Sequence, residues 1–186
     1  MEEIQMNLSE KDIKRFYNIW FNLLDYTNVK YNLSPKIKDL AHSSCINPED
    51  ISPIRDRLWS DNSVLDDIVA SNSLQFSEAD LSIVNSWRNR VSDKFILLKH
   101  LKNYSIFLGN NNIYGVTGIV SPIDEMFPSF VLPLMIDAVL LPFEGRIIYD
   151  SLLIPYRINF GGGAKKGFNE EYRELKNKSG IVISLE

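Results

Sequence analysis

The pattern of apolar and turn residues changes near Asp93, and this change constrains the fold more than any other feature of the sequence. Before it, apolar residues recur at the spacing of amphipathic helices; after it, short runs rich in β-branched and aromatic residues alternate with turn residues. Because helices and strands are segregated along the chain, the pattern predicts an α+β protein rather than a doubly wound sheet. We expect a helical subdomain over 1–92, packed in one compact unit against an antiparallel β-sheet and a C-terminal helix over 93–186.

Two long helices and several short ones are expected in the first half. A serine-led capping pattern precedes apolar residues at helical spacing in 9–26 and again in 78–90. Between 34 and 71, prolines such as Pro48 and Pro53 follow Asn or Ser, an arrangement typical of helix starts. The region between the long helices therefore predicts several short helices.

The second half predicts at least four strands in mainly antiparallel pairing over 94–160. The stretch "LGNNNIYG" indicates a tight hairpin turn, and Glu144-Gly145 indicates another between "VLLPF" and "RIIYD". After the strands, Asn169 is suited to cap a C-terminal helix, and Gly180 is suited to end it. The glycine run before Asn169 is expected to be the turn that joins sheet and helix.

Composition limits the class of protein more than its activity. The chain has 186 residues, a formal net charge of -4 and a single cysteine, Cys45. These values predict a globular protein with no intrachain disulfide, no cysteine-rich zinc site and no general attraction for polyanions. The acidic, polar start of the sequence resembles no secretion signal, and we expect a cytoplasmic protein without a membrane segment. Cys45 near His42 is expected to be a bystander thiol rather than a nucleophile.

Several stretches form a pattern that extends over most of the chain. They are "FYNIWFNLLDYTN", "KHLKNYSIFL", "YGVTGI" and "LPFEGRIIYDSLLIPYRINFGGG", followed by Tyr172. This pattern resembles an uncharacterised bacterial family, and the resemblance implies no particular activity. Some similar proteins carry an added cysteine-rich SEC-C metal-binding tail. This sequence ends at Glu186 without such a tail, so the zinc-dependent role that the tail implies is not expected here.

An aspartate pair is the sharpest catalytic hypothesis. If Glu144-Gly145 forms a two-residue loop, Asp137, Asp150 and Arg146 share one sheet face, with the two aspartates diagonal neighbours roughly 7–8 Å apart. Such a group could hold a metal ion or act as an acid/base pair. The alternative is that Asp150 ends its strand or bonds a backbone amide, and that Arg146 and Asp137 are ordinary surface charges. A one-residue bulge would also place the aspartates on opposite faces.

The stretch "NFGGGAKKGF" is a second candidate site. Gly161, Gly162 and Gly163 could expose backbone amides to a phosphate, with Lys165 and Lys166 adding positive charge. The order of residues matches neither a P-loop nor a dinucleotide-binding motif. The alternative is that the glycines only let the backbone turn and that the lysines stay solvated.

These observations favour a non-enzymatic cytosolic binding or interaction module, with a protein as the favoured partner. An enzyme that uses Asp137, Asp150 and Arg146 is the first alternative, and a phosphate or nucleic-acid binder that uses the glycine-lysine stretch is the second. No metal or cofactor is expected from the sequence. Arg157 and nearby aromatic residues could stack nucleic-acid bases, but the local excess of positive charge is small. His100 lies in an apolar run and is expected to have a hydrogen-bonded structural role.

Overall fold

The computed structural model describes residues 6–35, 37, 40 and 48–185, so that the expectations for His42 and Cys45 lie outside the described residues. It confirms the α+β class. The chain divides into two compact units, one formed by 11–88 and the other by 89–186 together with the first ten residues. We call these the helical unit and the barrel unit.

The helical unit contains the long first helix that the sequence predicts, whereas the second predicted helix, over 78–90, ends at Ser86. Its helices are α1 (Glu10–Tyr31), α2 (Pro48–Ser60), α3 (Ser63–Ser71) and α4 (Glu78–Ser86), and a 3-10 turn follows at Trp87–Asn89. Pro48 begins α2 as expected, because a proline at the first helical position loses no intrahelical hydrogen bond. The prediction that Pro53 also begins a helix is wrong, since Pro53 lies inside α2.

Aromatic side chains form the core of the helical unit. The Trp20 and Trp59 rings stack with centroids 5.6 Å apart, and the Trp59 and Trp87 rings meet edge to face at 6.0 Å. Trp20 and Trp87 are almost completely buried. These rings bury large apolar areas, and their offset and edge-on geometries are the favourable ones for aromatic pairs.

The predicted capping pattern of α4 is present in the structure. The Ser77 hydroxyl accepts a hydrogen bond from the Asp80 backbone amide, and the Arg15 guanidinium lies 2.6 Å from the Asp80 carboxylate. Partial burial raises the pKa of Asp80, but the bonds from Ser77 and Arg15 outweigh it, so the pKa lies below its usual value. The cap therefore joins the start of α4 to α1 electrostatically as well as by packing.

The barrel unit contains a five-stranded mixed sheet that is closed into a barrel, whereas the sequence predicts an antiparallel sheet. Its strands are β1 (Val91–His100), β2 (Ser105–Gly109), β3 (Asn112–Val116), β4 (Leu134–Phe143) and β5 (Arg146–Pro155). The order around the barrel is β1-β2-β3-β5-β4, and β4 also pairs with β1. A fourth strand beside the first is the Greek-key arrangement. All pairs are antiparallel except β3 with β5, which are parallel where Val116 lies opposite Ile147.

Successive side chains along each strand point alternately into and out of the barrel, and apolar residues occur on both faces. Inside, the Phe95 ring meets the rings of Phe107 and Tyr114 edge to face at 6.0 and 5.7 Å. Outside, the buried side chains of β1 to β3 pack with one face of α6 (Gly162–Lys178). The outer cluster consists of Ile96, Leu98, Ile106, Leu108 and Ile113, with Phe168, Tyr172 and Leu175 of α6 packed against it.

Both predicted hairpin turns are confirmed. Asn110 and Asn111 have positive φ values of 51° and 56°, and Glu144 and Gly145 have values of 48° and 72°. Positive φ at both central residues is the backbone of a tight hairpin turn whose twist matches that of the strands. A shorter helix, α5 (Ile123–Met126), and a 3-10 turn at Ser129–Val131 lie between β3 and β4.

The predicted start of the C-terminal helix is wrong. The helix α6 begins at Gly162, and Asn169 lies inside it, with its side-chain amide donating to the Lys165 carbonyl. The glycine run is therefore the first turn of the helix rather than a turn before it. Positive φ is found at Gly145 and Gly180 but not in this run. Packing of Phe168 and Tyr172 on the barrel overrides the low helix propensity of glycine.

Among the residues that the structure describes, no helix combines the length and the apolar character needed to cross a membrane.

Candidate functional site

The register between β4 and β5 differs from the predicted one beside the aspartate pair that the sequence suggested. Phe143 lies opposite Arg146 and Leu140 opposite Tyr149, as a two-residue loop requires. Beyond that point the register shifts, so that Asp137 lies opposite Ile154 and not opposite Leu152. Ser151, next to Asp150, has a positive φ of 73° and lies where the register shifts.

The predicted register at Asp137 is therefore wrong, and the use of the two aspartates as a metal site or an acid/base pair stays a prediction. Asp150 is 0% exposed, whereas Asp137 is half-buried and lies opposite Lys94 of β1. An opposite charge directly across a strand pair is a common stabilising contact. In the described part of the chain, no group of three or more His, Cys, Asp or Glu side chains is arranged to hold a metal ion.

Arg146 lies beside a small pocket that neither aspartate lines. This pocket has a volume of about 200 Å³ and is lined by Arg146, Thr117, Tyr104 and other residues near the second hairpin turn, but not by Asp137 or Asp150. Ligand pockets usually have volumes of roughly 300–1,000 Å³. This pocket therefore includes one of the three proposed catalytic residues and is smaller than most ligand pockets.

The two lysines of the glycine-lysine stretch have different surroundings. Lys166 is exposed and lies 3.7 Å from the Glu170 carboxylate one helical turn later. Lys165 lines a larger groove. Gly161, Gly162 and Gly163 precede or begin α6, where a side chain at any of them would meet open space. Anion binding by the first turn of α6 stays a prediction.

The main concave surface described in the barrel unit is a groove of about 930 Å³. One wall is formed by the segment between β3 and β4, and the other by the chain that leaves β5, with one residue from α6. The lining residues are Met126, Phe127, Pro128, Phe130, Val131, Pro133, Leu134, Pro155, Tyr156, Arg157, Ile158, Asn159, Phe160 and Lys165. We call this surface the 126–165 groove.

Apolar side chains in the 126–165 groove are unusually exposed. Phe130 is 87% exposed, and Met126, Val131 and Ile158 are each exposed by more than 40%. Single exposed apolar residues are common on protein surfaces, but several on one concave surface are typical of a binding site. Phe160, at the far end, also contacts the Phe168 ring at 5.0 Å and so joins the groove to the packing of α6.

The charges in the groove are all positive. Arg157 and Lys165 are the charged residues among the described lining residues, and no carboxylate lines the surface with them. The whole chain, in contrast, has a net charge of -4. The groove is therefore an apolar surface with a local positive charge on an acidic protein.

His100 holds one wall of the groove in place. Its Nε2 lies 2.8 Å from the Phe127 carbonyl oxygen, and its Nδ1 lies 2.7 Å from the Ser105 hydroxyl. A carbonyl can only accept, so Nε2 carries the hydrogen and donates it to the Phe127 carbonyl oxygen. Both ring nitrogens are thus bonded, which confirms that His100 is hydrogen-bonded as the sequence suggested.

We expect His100→Ala to lower the free energy of unfolding by about 1–3 kcal/mol, because it removes a partner of the buried Ser105 hydroxyl. Urea unfolding of His100→Ala, Ser105→Ala and the double variant measures this effect. The loss in the double variant should be smaller than the sum of the two single losses. Fully additive losses would contradict a direct bond between the two side chains.

Sequence reasoning missed the 126–165 groove. Its first wall comes from "DEMFPSFVLP", in which three apolar or aromatic residues stand between prolines. A signal was present, because proline-bounded apolar residues that fit neither strand nor helix periodicity are often exposed. For the second wall, "PYRINF", the sequence predicts only aromatic residues that could stack nucleic-acid bases.

Comparison with protein-family models, with curated protein sequences and with solved structures finds no match to this chain. The proposed function therefore depends on the groove itself.

Proposed function

We propose that this protein is a non-enzymatic binding module that recognises a protein partner through the 126–165 groove. The observation that supports this proposal is the concentration of exposed apolar side chains, above all Phe130, on one concave surface. Burial of such side chains supplies most of the free energy of protein association. Exposed aromatic side chains are frequent anchors of this kind.

A protein partner fits the groove better than a small molecule. Small-molecule pockets bury most of the ligand and contain a few convergent polar groups. Here several of the lining side chains, among them Phe130 and Ile158, are exposed, and the charged groups of Arg157 and Lys165 stand on two different segments. Such a surface suits an extended partner that covers the side chains from outside. A cytoplasmic location and the likeness to a bacterial family remain part of this proposal.

The enzyme and nucleic-acid alternatives have less support. For the proposed catalytic residues, the register at Asp137 differs from the predicted one, and Arg146 lines a small pocket to which neither Asp137 nor Asp150 contributes. Five-stranded Greek-key barrels of the OB-fold type bind oligonucleotides on the face of strands two and three. In this barrel the outer face of β2 and β3 is covered by α6.

A displayed library of random dodecapeptides tests the proposal when it is selected on the native chain. Peptides that the native chain enriches should bind the double variant Phe130→Ser, Ile158→Ser at least about tenfold more weakly, because the variant removes two apolar anchors. The matched control is Val29→Ser in the helical unit, where Val29 is 82% exposed and lies outside the groove. This control should bind the peptides as the native chain does.

Each outcome of this selection either supports or contradicts the proposed function. Loss of binding in the groove variant alone supports the proposal. Equal binding by native chain and groove variant, or a failure of the native chain to enrich any peptide, contradicts it. Because the substituted side chains are exposed, the variant should stay within about 0.5 kcal/mol of the native stability.

A further inference from the structure

We infer that the segment bound by the 126–165 groove is an acidic one, in which carboxylate side chains accompany apolar or aromatic ones. This inference rests on the proposed function, because it names the class of partner for the same groove. Two observations support it: the charged residues of the groove are positive, and several of its apolar side chains are exposed.

The two cations of the groove have no ionic partner in the described structure. Neither Arg157 nor Lys165 forms an ion pair with a described residue, and both are exposed. Several other cations contact an acid or an aromatic ring: Arg15, Lys30, Arg57, Arg88 and Lys166 pair with carboxylates, and Lys94 and Lys99 lie over tyrosine rings. Arg157 and Lys165 are thus available to a partner.

The positions of Arg157 and Lys165 indicate which charges a partner should carry and where. Arg157 follows Tyr156 on the wall after β5, and Lys165 comes from the first turns of α6, so apolar side chains of the groove lie near both charges. Charged groups at the border of an apolar interface accelerate association and select partners of opposite charge. A segment with carboxylates beside its apolar anchors would be complementary to both features of the groove.

A nucleic acid is less well matched to this surface than an acidic peptide. Phosphate recognition gains affinity with each additional cation, and the groove contains two. Its lining combines aliphatic side chains, aromatic side chains and prolines, which suits the apolar side chains of a peptide. Aromatic side chains such as Phe130 and Tyr156 can stack on nucleic-acid bases, so the experiment must distinguish oligonucleotide binding from peptide binding.

The experiment uses synthetic peptides from the library selection, each in its native form and in a form with Asn for Asp and Gln for Glu. We expect the enriched peptides to be acidic and to lose about tenfold or more in affinity when these carboxylates are neutralised. The protein variant Arg157→Gln, Lys165→Gln should show a similar loss, and raised salt should weaken binding to the native chain. Lys166→Gln is the matched control, since Lys166 is adjacent in sequence but paired with Glu170; it should change affinity less than about twofold.

The outcomes separate this inference from the proposed function. Peptides that require Phe130 but are indifferent to their own carboxylates and to Arg157 and Lys165 would overturn the acidic partner and leave the docking groove intact. Tighter binding of single-stranded oligothymidylate through Arg157 and Lys165 would overturn it in favour of a nucleic acid. Peptide binding that is indifferent to Phe130 would contradict the proposed function itself. Loss of affinity with both the neutralised peptides and the double variant supports the inference.

Discussion

Phe107→Ala should lower the free energy of unfolding by about 3–5 kcal/mol, the range for removing a fully buried aromatic side chain. Phe107 is 0% exposed and contacts the Phe95 ring inside the barrel. Its loss would leave a cavity among strands that pair through the whole circumference of the sheet, and such a sheet relaxes little. Denaturant unfolding followed by circular dichroism measures the change.

The matched control is Phe130→Ala in the same unit. Because Phe130 is almost fully exposed, its removal should change stability by no more than about 0.5 kcal/mol. Similar losses for the two variants would mean that Phe130 is packed in the folded chain, which would remove the main anchor of the proposed groove. Unchanged stability of Phe107→Ala would contradict the closed barrel.

Gly118→Ala is the second substitution with a large expected effect, a destabilisation of about 2 kcal/mol or more. A Cβ atom at this position would lie 2.2 Å from the Ser121 carbonyl oxygen, which belongs to the backbone and cannot turn aside as a side chain can. The Gly118 amide also donates to the Met6 carbonyl at 2.8 Å. Any shift that relieves the overlap therefore strains this bond as well. Thermal unfolding of native and variant chains measures the effect.

Gly163→Ala serves as the control with the opposite sign. Gly163 lies inside α6, where an added Cβ meets nothing within 4 Å. Alanine should stabilise this helix by about 0.5–1 kcal/mol relative to glycine. Destabilisation by Gly163→Ala would contradict a helix that begins at Gly162.

The sequence predicted elements well where local signals and tertiary packing agree. The serine cap of α4 and the "GNNN" and Glu144-Gly145 turns each depend on residues only a few positions apart, and the structure contains all three. The parallel contact of β3 with β5 joins Val116 to Ile147, thirty-one positions later in the printed sequence, and has no local signature. Barrel closure could therefore not be predicted from periodicity.

The start of α6 shows a different limit of sequence reasoning. Glycines 161–163 have low helix propensity, and on local grounds they indicate a turn. Tyr172 and its neighbours on α6 pack on the outer face of β1 to β3, and this contact is invisible until the barrel is formed. Tertiary packing then extends the helix back through the glycines.

The candidate site was hard to predict because it depends on register and on segments outside regular structure. A shift between Ala138 and Leu140 was enough to place Ile154 rather than Leu152 opposite Asp137, although the hairpin turn itself was predicted correctly. The groove, in contrast, joins irregular segments on both sides of β4 and β5. Individual residues such as Phe130 give no sign in the sequence that they are exposed rather than buried.

Mapping of a selected peptide onto the native chain by amide chemical shifts tests the docking groove most directly. Addition of a library-selected peptide to the isotope-labelled protein should shift the amides of 126–134 and 156–160, with little change at the Arg146 pocket or in the helical unit. Phe130→Ser, whose fold should be unaffected, should abolish these shifts at the same peptide concentration. Shifts centred elsewhere, or shifts that persist in Phe130→Ser, would contradict the claim that the 126–165 groove is the binding surface of this protein.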